Sequence, residues 1–155
     1  MATDEMPRKT MRDLTVRECI DLLGQHSLGR LAFLAKVGVM PLILPVNYVI
    51  DQDTLIFRSD PGSKLTAAIL GAPVAFEVDG GYEEKNQTGW SVVVHGHAEE
   101  VTDPADLARL EQLPLVPWGP GAKGHYVRVR PGQINGRRII LTKIDLSELP
   151  AHWFG

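Results

Sequence analysis

The stretch from Pro45 to Ile69 constrains the fold of this chain more than any other. It reads PVNYVIDQDTLIFRSDPGSKLTAAI, and its two apolar, β-prone runs on either side of a polar turn at residues 51–53 predict a β-hairpin. A polar segment then leads into a helix, for which Asp60 is the predicted N-cap and Pro61 the first helical residue. The sequence therefore predicts a strand, a tight turn, a second strand and a helix in direct succession.

The predicted helix start is also a candidate anion site. Residues 62–64 fall in its first turn, whose backbone amides lack partners within the helix. The side chains around those amides are the donors that a terminal phosphate needs when it leaves water: Arg58, Ser59, Ser63 and Lys64. The alternative is an ordinary capped helix with solvated charges, because an Asp60 carboxylate at the N-cap would occupy the same amides and repel a phosphate.

The strand that enters the hairpin contains two prolines, Pro41 and Pro45. A proline inside a strand implies a bulge, an edge or a place where a ligand replaces the hydrogen-bonded ladder. Backbone groups near Val46 and Asn47, together with the Asn47 amide, would then be available to the edge of a heteroaromatic ring. The alternative is a kinked edge strand without a ligand.

Composition limits the class of protein. The 155 residues have 44% apolar content and a formal net charge of -3, which fits one domain with a real core and argues against general nucleic-acid binding. No apolar run is long enough for a membrane span, and no secretion signal opens the chain. With a single cysteine, Cys19, no intrachain disulfide is possible. We expect a cytoplasmic protein, with a flexible tail at residues 1–13 and a single domain at residues 14–155.

A candidate metal set follows Trp90. His95, His97 and Glu99 alternate along one predicted strand, so they share a face and are chemically able to hold an ion. The alternative is three polar side chains on the wet face of an antiparallel sheet. Because the cysteines of a structural zinc site are missing, we predict no metal.

The quoted motifs resemble, in order and approximate spacing, the flavin-nucleotide-binding proteins of the pyridoxamine 5'-phosphate oxidase-like superfamily. The resemblance rests on PVNYVID, LIFRSDPGSKLTAAIL, APVAFEVD, GWSVVVHGHAEEVTD and YVRVRPGQINGRRI, and it spans roughly residues 14–140. It implies a mainly β protein, a six-stranded antiparallel Greek-key split β-barrel with peripheral helices. It also implies a homodimer that holds FMN at the subunit interface.

The resemblance further implies which residues meet the cofactor. Its phosphate would lie at the candidate anion site, and the isoalloxazine edge would lie along the strand with the two prolines. An indole would stack on the flavin, and a hydroxyl would donate to its phosphate or ribityl chain. The full predicted set is Pro45, Val46, Asn47, Arg58, Ser59, Ser63, Lys64, Trp90 and Ser91.

The function implied is a flavin-dependent oxidoreductase that transfers hydride or electrons to or from a small organic substrate. The cofactor performs that chemistry, so no catalytic side chain is predicted. The alternative is a non-catalytic module that stores or senses a flavin or haem. FMN and the deazaflavin F420 both fit the resemblance. The carboxy-terminal arginine and histidine motif of a true pyridoxine-phosphate oxidase is missing, so vitamin B6 oxidation is not expected.

Overall fold

The protein is described by a computed structural model that covers residues 7–34, 40–60, 62–117 and 124–143. Most of these residues lie in long strands, and the helices are short. In chain order the elements are β1 (Pro7–Leu14), α1 (Val16–Gly24), β2 (Leu28–Leu34), β3 (Pro41–Asp51), β4 (Thr54–Ser59), α2 (Lys64–Ile69), β5 (Pro73–Glu83), β6 (Thr88–Glu100), α3 (Pro104–Leu110) and β7 (His125–Lys143). None of these helices is long and apolar enough to cross a bilayer.

Six strands close into an antiparallel ring in the order β7, β4, β3, β2, β5, β6, because β6 also pairs with β7. β7 makes this closure possible through its length. Its first residues pair with β4, its last residues pair with β1, and its opposite edge pairs with β6. The six-stranded split barrel expected from the sequence is confirmed.

The prediction of a flexible tail is wrong for residues 7–13. They form β1, which adds a seventh strand to the sheet and runs from Pro7 opposite Lys143 to Leu14 opposite Gly136. This strand is held by backbone pairing rather than by burial, and Met11 remains 60% exposed. A strand without a buried face carries no hydrophobic alternation for sequence reasoning to detect. Residues 1–6 and 144–155 lie outside the described part of the chain.

The interior of the ring is filled by alternate residues of its strands, as the side-chain period of a strand requires. Buried members include Leu31, Phe33, Tyr48, Phe57, Phe76, Val92, Val94, Val127 and Val129. Helix α1 covers one end and contributes Cys19 and Leu23 to the same cluster. The Tyr48 hydroxyl donates to the Leu23 carbonyl at 2.6 Å, and burial raises the pKa of this phenol.

A buried ionic network fastens the β3–β4 hairpin to α3 and β7. The Asp51 carboxylate is only 7% exposed and accepts from Arg109 Nε at 3.1 Å and Nη2 at 2.8 Å. Arg128, also buried, lies 3.5 Å from Asp51 and donates to Asp106 at 3.1 Å. Asp106 in turn lies 2.9 Å from Arg109. Two carboxylates and two guanidiniums thereby offset one another's charge at the end of the hairpin.

Candidate functional site

The barrel opens between β3 and β4. These strands pair from Asp51 opposite Thr54 to Tyr48 opposite Phe57, and no β3–β4 pair continues beyond that point in the described residues. β3 goes on alongside β2, whereas β4 goes on alongside β7. The opening therefore separates two neighbouring segments of the predicted cofactor site, residues 45–47 on β3 and residues 58–59 on β4.

The proline segment of β3 lies at an open edge of the sheet, one of the three arrangements that its prolines allow. Over residues 41–47 it pairs with β2, with Pro45 opposite Arg30 and Asn47 opposite Leu28. Val46 turns inward against the barrel core, so Pro45 and Asn47 lie on the outer face. The Asn47 side-chain amide also donates to the carbonyl of Ser27, the residue just before β2, at 3.4 Å. This contact joins the start of β2 to the proline segment.

The start of α2 differs from the prediction. Ser63, not Asp60, is the N-cap: its hydroxyl accepts from the Thr66 amide at 3.0 Å and contacts the Thr66 hydroxyl at 2.7 Å. Gly62 turns the chain with a positive φ of 70°, a conformation that glycine adopts without strain. Helix α2 consequently begins at Lys64, and the Thr66 amide is already used by the cap. Pro61 lies outside the described residues.

The donors of the β4–α2 segment flank the opening. The Arg58 guanidinium lies 5.4 Å from the Tyr126 ring centroid, within the range of a cation–π contact. Ser59 follows on the opposite face of the strand, and its hydroxyl oxygen is buried without a hydrogen-bond partner in the part of the chain described. An orphaned buried hydroxyl is uncommon and points to a partner outside the described residues. The side chain of Lys64 lies outside the described atoms.

Trp90 and Ser91 do not face the same way. They are consecutive on β6, and Trp90 lies on the face of the buried Val92, where it packs against the core. Its indole covers Gly80 and Gly81, since a Cβ on Gly80 would stand 2.8 Å from the ring. Ser91 consequently lies on the outer face. The structure therefore brings Trp90 and Ser91 to different surfaces of the sheet.

Sequence reasoning missed an ionic network on the outer face between β3 and β6. Arg30 donates through Nε to Glu77 at 2.7 Å and through Nη2 to Asp79 at 2.6 Å. The Tyr82 hydroxyl donates to the other Asp79 oxygen at 2.7 Å. Hydrogen bonds from Tyr82 and from Arg30 lower the pKa of Asp79. The alternating acidic residues of β5, Glu77 and Asp79, were a signal for this network in the sequence. Their partner Arg30 lies on β2, which the sequence of β5 does not reveal.

The candidate metal set of His95, His97 and Glu99, for which no metal was predicted, does not converge on one point. Glu99 is bound at 2.6 Å by Arg130 on β7, while His95 and His97 stand exposed on β6. Within the described ranges, no group of three histidine, cysteine or acidic side chains is placed to hold a metal.

Comparison with known proteins assigns the fold to a family. The family model described as pyridoxamine 5'-phosphate oxidase matches residues 15–138. The chain belongs to this family. An uncharacterized protein of Mycobacterium tuberculosis, Rv0080, is 35% identical over 128 residues, which cover 79% of this chain and 82% of that protein.

Solved structures of the pyridoxamine 5'-phosphate oxidase fold agree. A protein from Mycobacterium smegmatis described as FAD binding is 42% identical, with a TM-score of 0.72 over 82% of this chain and 97% of its own. A FAD-binding protein from Mesorhizobium loti is 27% identical, with a TM-score of 0.63 over 86% of this chain and 99% of its own. The chain thus has flavin-binding split-barrel proteins as structural neighbours.

In this family member, the predicted site residues fall into two groups. The β3 and β4–α2 residues adjoin across the opening. The β6 residues are separated from β3 by β2 and β5 around the ring. One copy of the chain therefore offers two separate portions of a site.

Proposed function

We propose that the protein binds a flavin nucleotide, FMN first, with its phosphate at the β4–α2 segment and its ring along the open edge of β3. The observation that carries the proposal is the parting of β3 from β4 beside a group of cationic and hydroxyl donors. The buried Ser59 hydroxyl, which has no partner among the described residues, supports the fit, because a phosphate oxygen would satisfy it. The flavin-binding relatives support the same ligand class.

FMN fits this donor set because its phosphate is a terminal monoester. Arg58 and Lys64 would supply the charge, and Ser59 and the α2 amides that the Ser63 cap leaves open would supply neutral donors. Ser63 would act by fixing the start of the helix. Pro45, Val46 and Asn47 would read the ring edge through neutral groups. F420 also carries a phosphate and a tricyclic ring and remains the alternative cofactor.

A homodimer would complete the site. The β3–β4 opening and Ser91 lie on different parts of one ring, so a flavin that contacts both would need a second copy. The outer face of β2 and β3 supports such an interface: Leu34 is 57% exposed and Ile43 is 67% exposed, and exposed apolar patches commonly mark contact surfaces. In this arrangement Ser91 of one chain approaches the flavin of the other. Trp90 lies on the opposite face of β6 from Ser91, packed against the core, so in this arrangement it would not stack on that flavin.

We further propose oxidoreductase activity on a small organic substrate. A bound flavin supplies hydride or electron transfer, while the chain binds and orients it and excludes water. Anaerobic addition of NADH or NADPH to the flavin-loaded protein should bleach the flavin absorbance, and an electron acceptor should restore it. A flavin that stays oxidised with every donor, including reduced F420, would instead indicate a storage or sensing module.

The binding experiment is a calorimetric titration of flavin-free protein with FMN, FAD, F420 and riboflavin. Riboflavin should bind far more weakly than FMN, because it lacks the phosphate. Replacing Arg58 and Lys64 together by alanine should weaken FMN by about 3 to 6 kcal/mol, at about 1.5 to 3 kcal/mol for each charge-assisted hydrogen bond. Arg17→Ala, which removes an exposed cation from α1, is the matched control. Equal affinities for FMN and riboflavin, or a folded double variant with unchanged affinity, would place the phosphate elsewhere.

A further inference from the structure

A second hollow lies beyond the barrel end, where β5, β6 and β7 extend past the core. Its volume is about 610 Å³, and its lining combines an indole, a guanidinium, an amide and a hydroxyl with aliphatic groups. The members that matter here are Trp90, Arg138, Asn86, Thr88 and Ile140. None of them belongs to the β3–β4 opening.

Arg138 is the cation of this hollow. It stands opposite Trp90 in the β6–β7 register, so the two side chains share one face of the sheet. Its Nε is buried and has no hydrogen-bond partner among the described residues. The other arginines of β7 each have a carboxylate partner: Arg128 with Asp51 and Asp106, Arg130 with Glu99, and Arg137 with Asp13. The Arg128 Nε is also buried without a partner, so Arg138 differs in having no carboxylate partner for any part of its guanidinium among the described residues. A buried guanidinium N–H without an acceptor is costly, which points to an acceptor from a bound molecule.

Trp90 supplies the aromatic surface. One part of the indole is fixed against Gly80 and Gly81, and its ring centroid lies 4.9 Å from that of His26. These contacts hold the indole in place, so it offers a rigid apolar wall beside the guanidinium. An anchored ring next to a cation recognises a flat molecule that carries a negative charge at one end.

The charge of the lining also limits the anion. Glu83 lines the hollow too and accepts from Asn86 at 2.6 Å. A carboxylate near the bound group would repel a phosphate dianion more strongly than a single negative charge. The hollow consequently favours a monoanion.

We propose that this hollow binds a small aromatic monocarboxylate, with the carboxylate on Arg138 and the ring against Trp90. The site is separate from the flavin site, and binding needs no flavin. Benzoate is the simplest probe of the class. Benzyl alcohol keeps the ring without the charge, and acetate keeps the charge without the ring.

The test is calorimetric titration of the full-length, flavin-free protein with these three probes. Benzoate should bind, and benzyl alcohol and acetate should each bind about 10-fold more weakly or worse. Arg138→Gln should weaken benzoate by about 10-fold or more, because it removes the guanidinium and its positive charge. Arg137→Gln is the matched control: it changes the neighbouring arginine, on the opposite face of the same strand, and should leave benzoate binding unchanged.

If Arg138→Gln does not fold, Arg138→Lys keeps the charge but removes the planar guanidinium, and benzoate should still weaken clearly. Unchanged benzoate affinity in either folded variant, or an equal loss in Arg137→Gln, would overturn the proposal. Equal affinity for benzyl alcohol would overturn the role of the anion, and equal affinity for acetate would overturn the role of the ring. Saturation with FMN should leave benzoate binding unchanged. Competition between the two would overturn a separate site and make the hollow part of the flavin site.

Discussion

Replacing Asp51 by asparagine should destabilise the protein strongly without unfolding it. The carboxylate is 7% exposed and is held by two N–H groups of Arg109, at 3.1 and 2.8 Å. Asparagine has nearly the same size, but it carries no charge and turns a donor toward the arginines. The buried Arg128 would then lose one of its two nearby carboxylates.

The expected loss in the free energy of unfolding is about 3 kcal/mol. Removing one partner of a buried pair costs about 3 to 5 kcal/mol, because the other charge is left uncompensated. The low end applies here, since Asp106 still lies 3.1 Å from Arg128 and 2.9 Å from Arg109. The Arg109 side chain is also 36% exposed, so water can solvate part of its charge.

Urea unfolding followed by circular dichroism measures this difference, and an unchanged m-value shows that the same surface is exposed. Asp53→Asn is the control at the other end of the same turn. Asp53 pairs with Arg17 on the surface at 3.1 Å, and an exposed pair contributes less than about 1 kcal/mol. Asparagine also tolerates the positive φ of 62° at that position. A loss below about 1 kcal/mol for Asp51→Asn, or equal losses for both variants, would refute the reasoning about burial.

Two further predictions concern packing and pH. Gly96→Ala should lower the free energy of unfolding, measured in urea, by about 3 kcal/mol, because the added Cβ would lie 2.1 Å from the Arg130 carbonyl oxygen. Gly132→Ala is the control and should be tolerated, because the nearest atom to its Cβ is 3.6 Å away. Equal losses of stability in the two variants would contradict this. A hydrogen bond from Arg128, above all, lowers the pKa of Asp106. The ionised Asp106 carboxylate therefore stabilises the folded protein above about pH 4, and this stabilisation is lost as the pH falls through the lowered pKa. The difference in unfolding free energy between wild type and Asp106→Asn should therefore shrink in acid. A difference that grows in acid would contradict the lowered pKa of Asp106.

The local elements of the fold could be predicted because their signals lie close together in the chain. The hairpin turn at residues 51–53 is confirmed, with β3 ending at Asp51 and β4 beginning at Thr54. The position of the α2 cap was harder, because Asp60 and Ser63 are both good N-cap residues. The backbone turn at Gly62 decides between them, and sequence alone does not fix that turn.

The arrangement of the site depended on information that no single segment contains. The opening exists because β3 follows β2 while β4 follows β7, and those registers are non-local. The cation of the outer network, Arg30, lies 47 positions from Glu77 in the chain. Period-two alternation could place Trp90 and Ser91 on opposite faces. The family resemblance implied that both residues contact the same flavin, but in the structure their side chains lie on opposite faces of the sheet.

The pairing of β1 with β7 also determines when the protein can finish folding. The earliest described strand joins only the latest one, with Pro7 opposite Lys143, and the ring closes only through β7. During synthesis on the ribosome, the edges of β4 and β6 that pair with β7 would remain unpaired until β7 emerged. Unpaired strand edges promote aggregation. Contacts this distant in sequence slow folding. A nascent chain stalled before His125 should therefore need a chaperone, whereas release of the complete β7 should let the barrel close on its own.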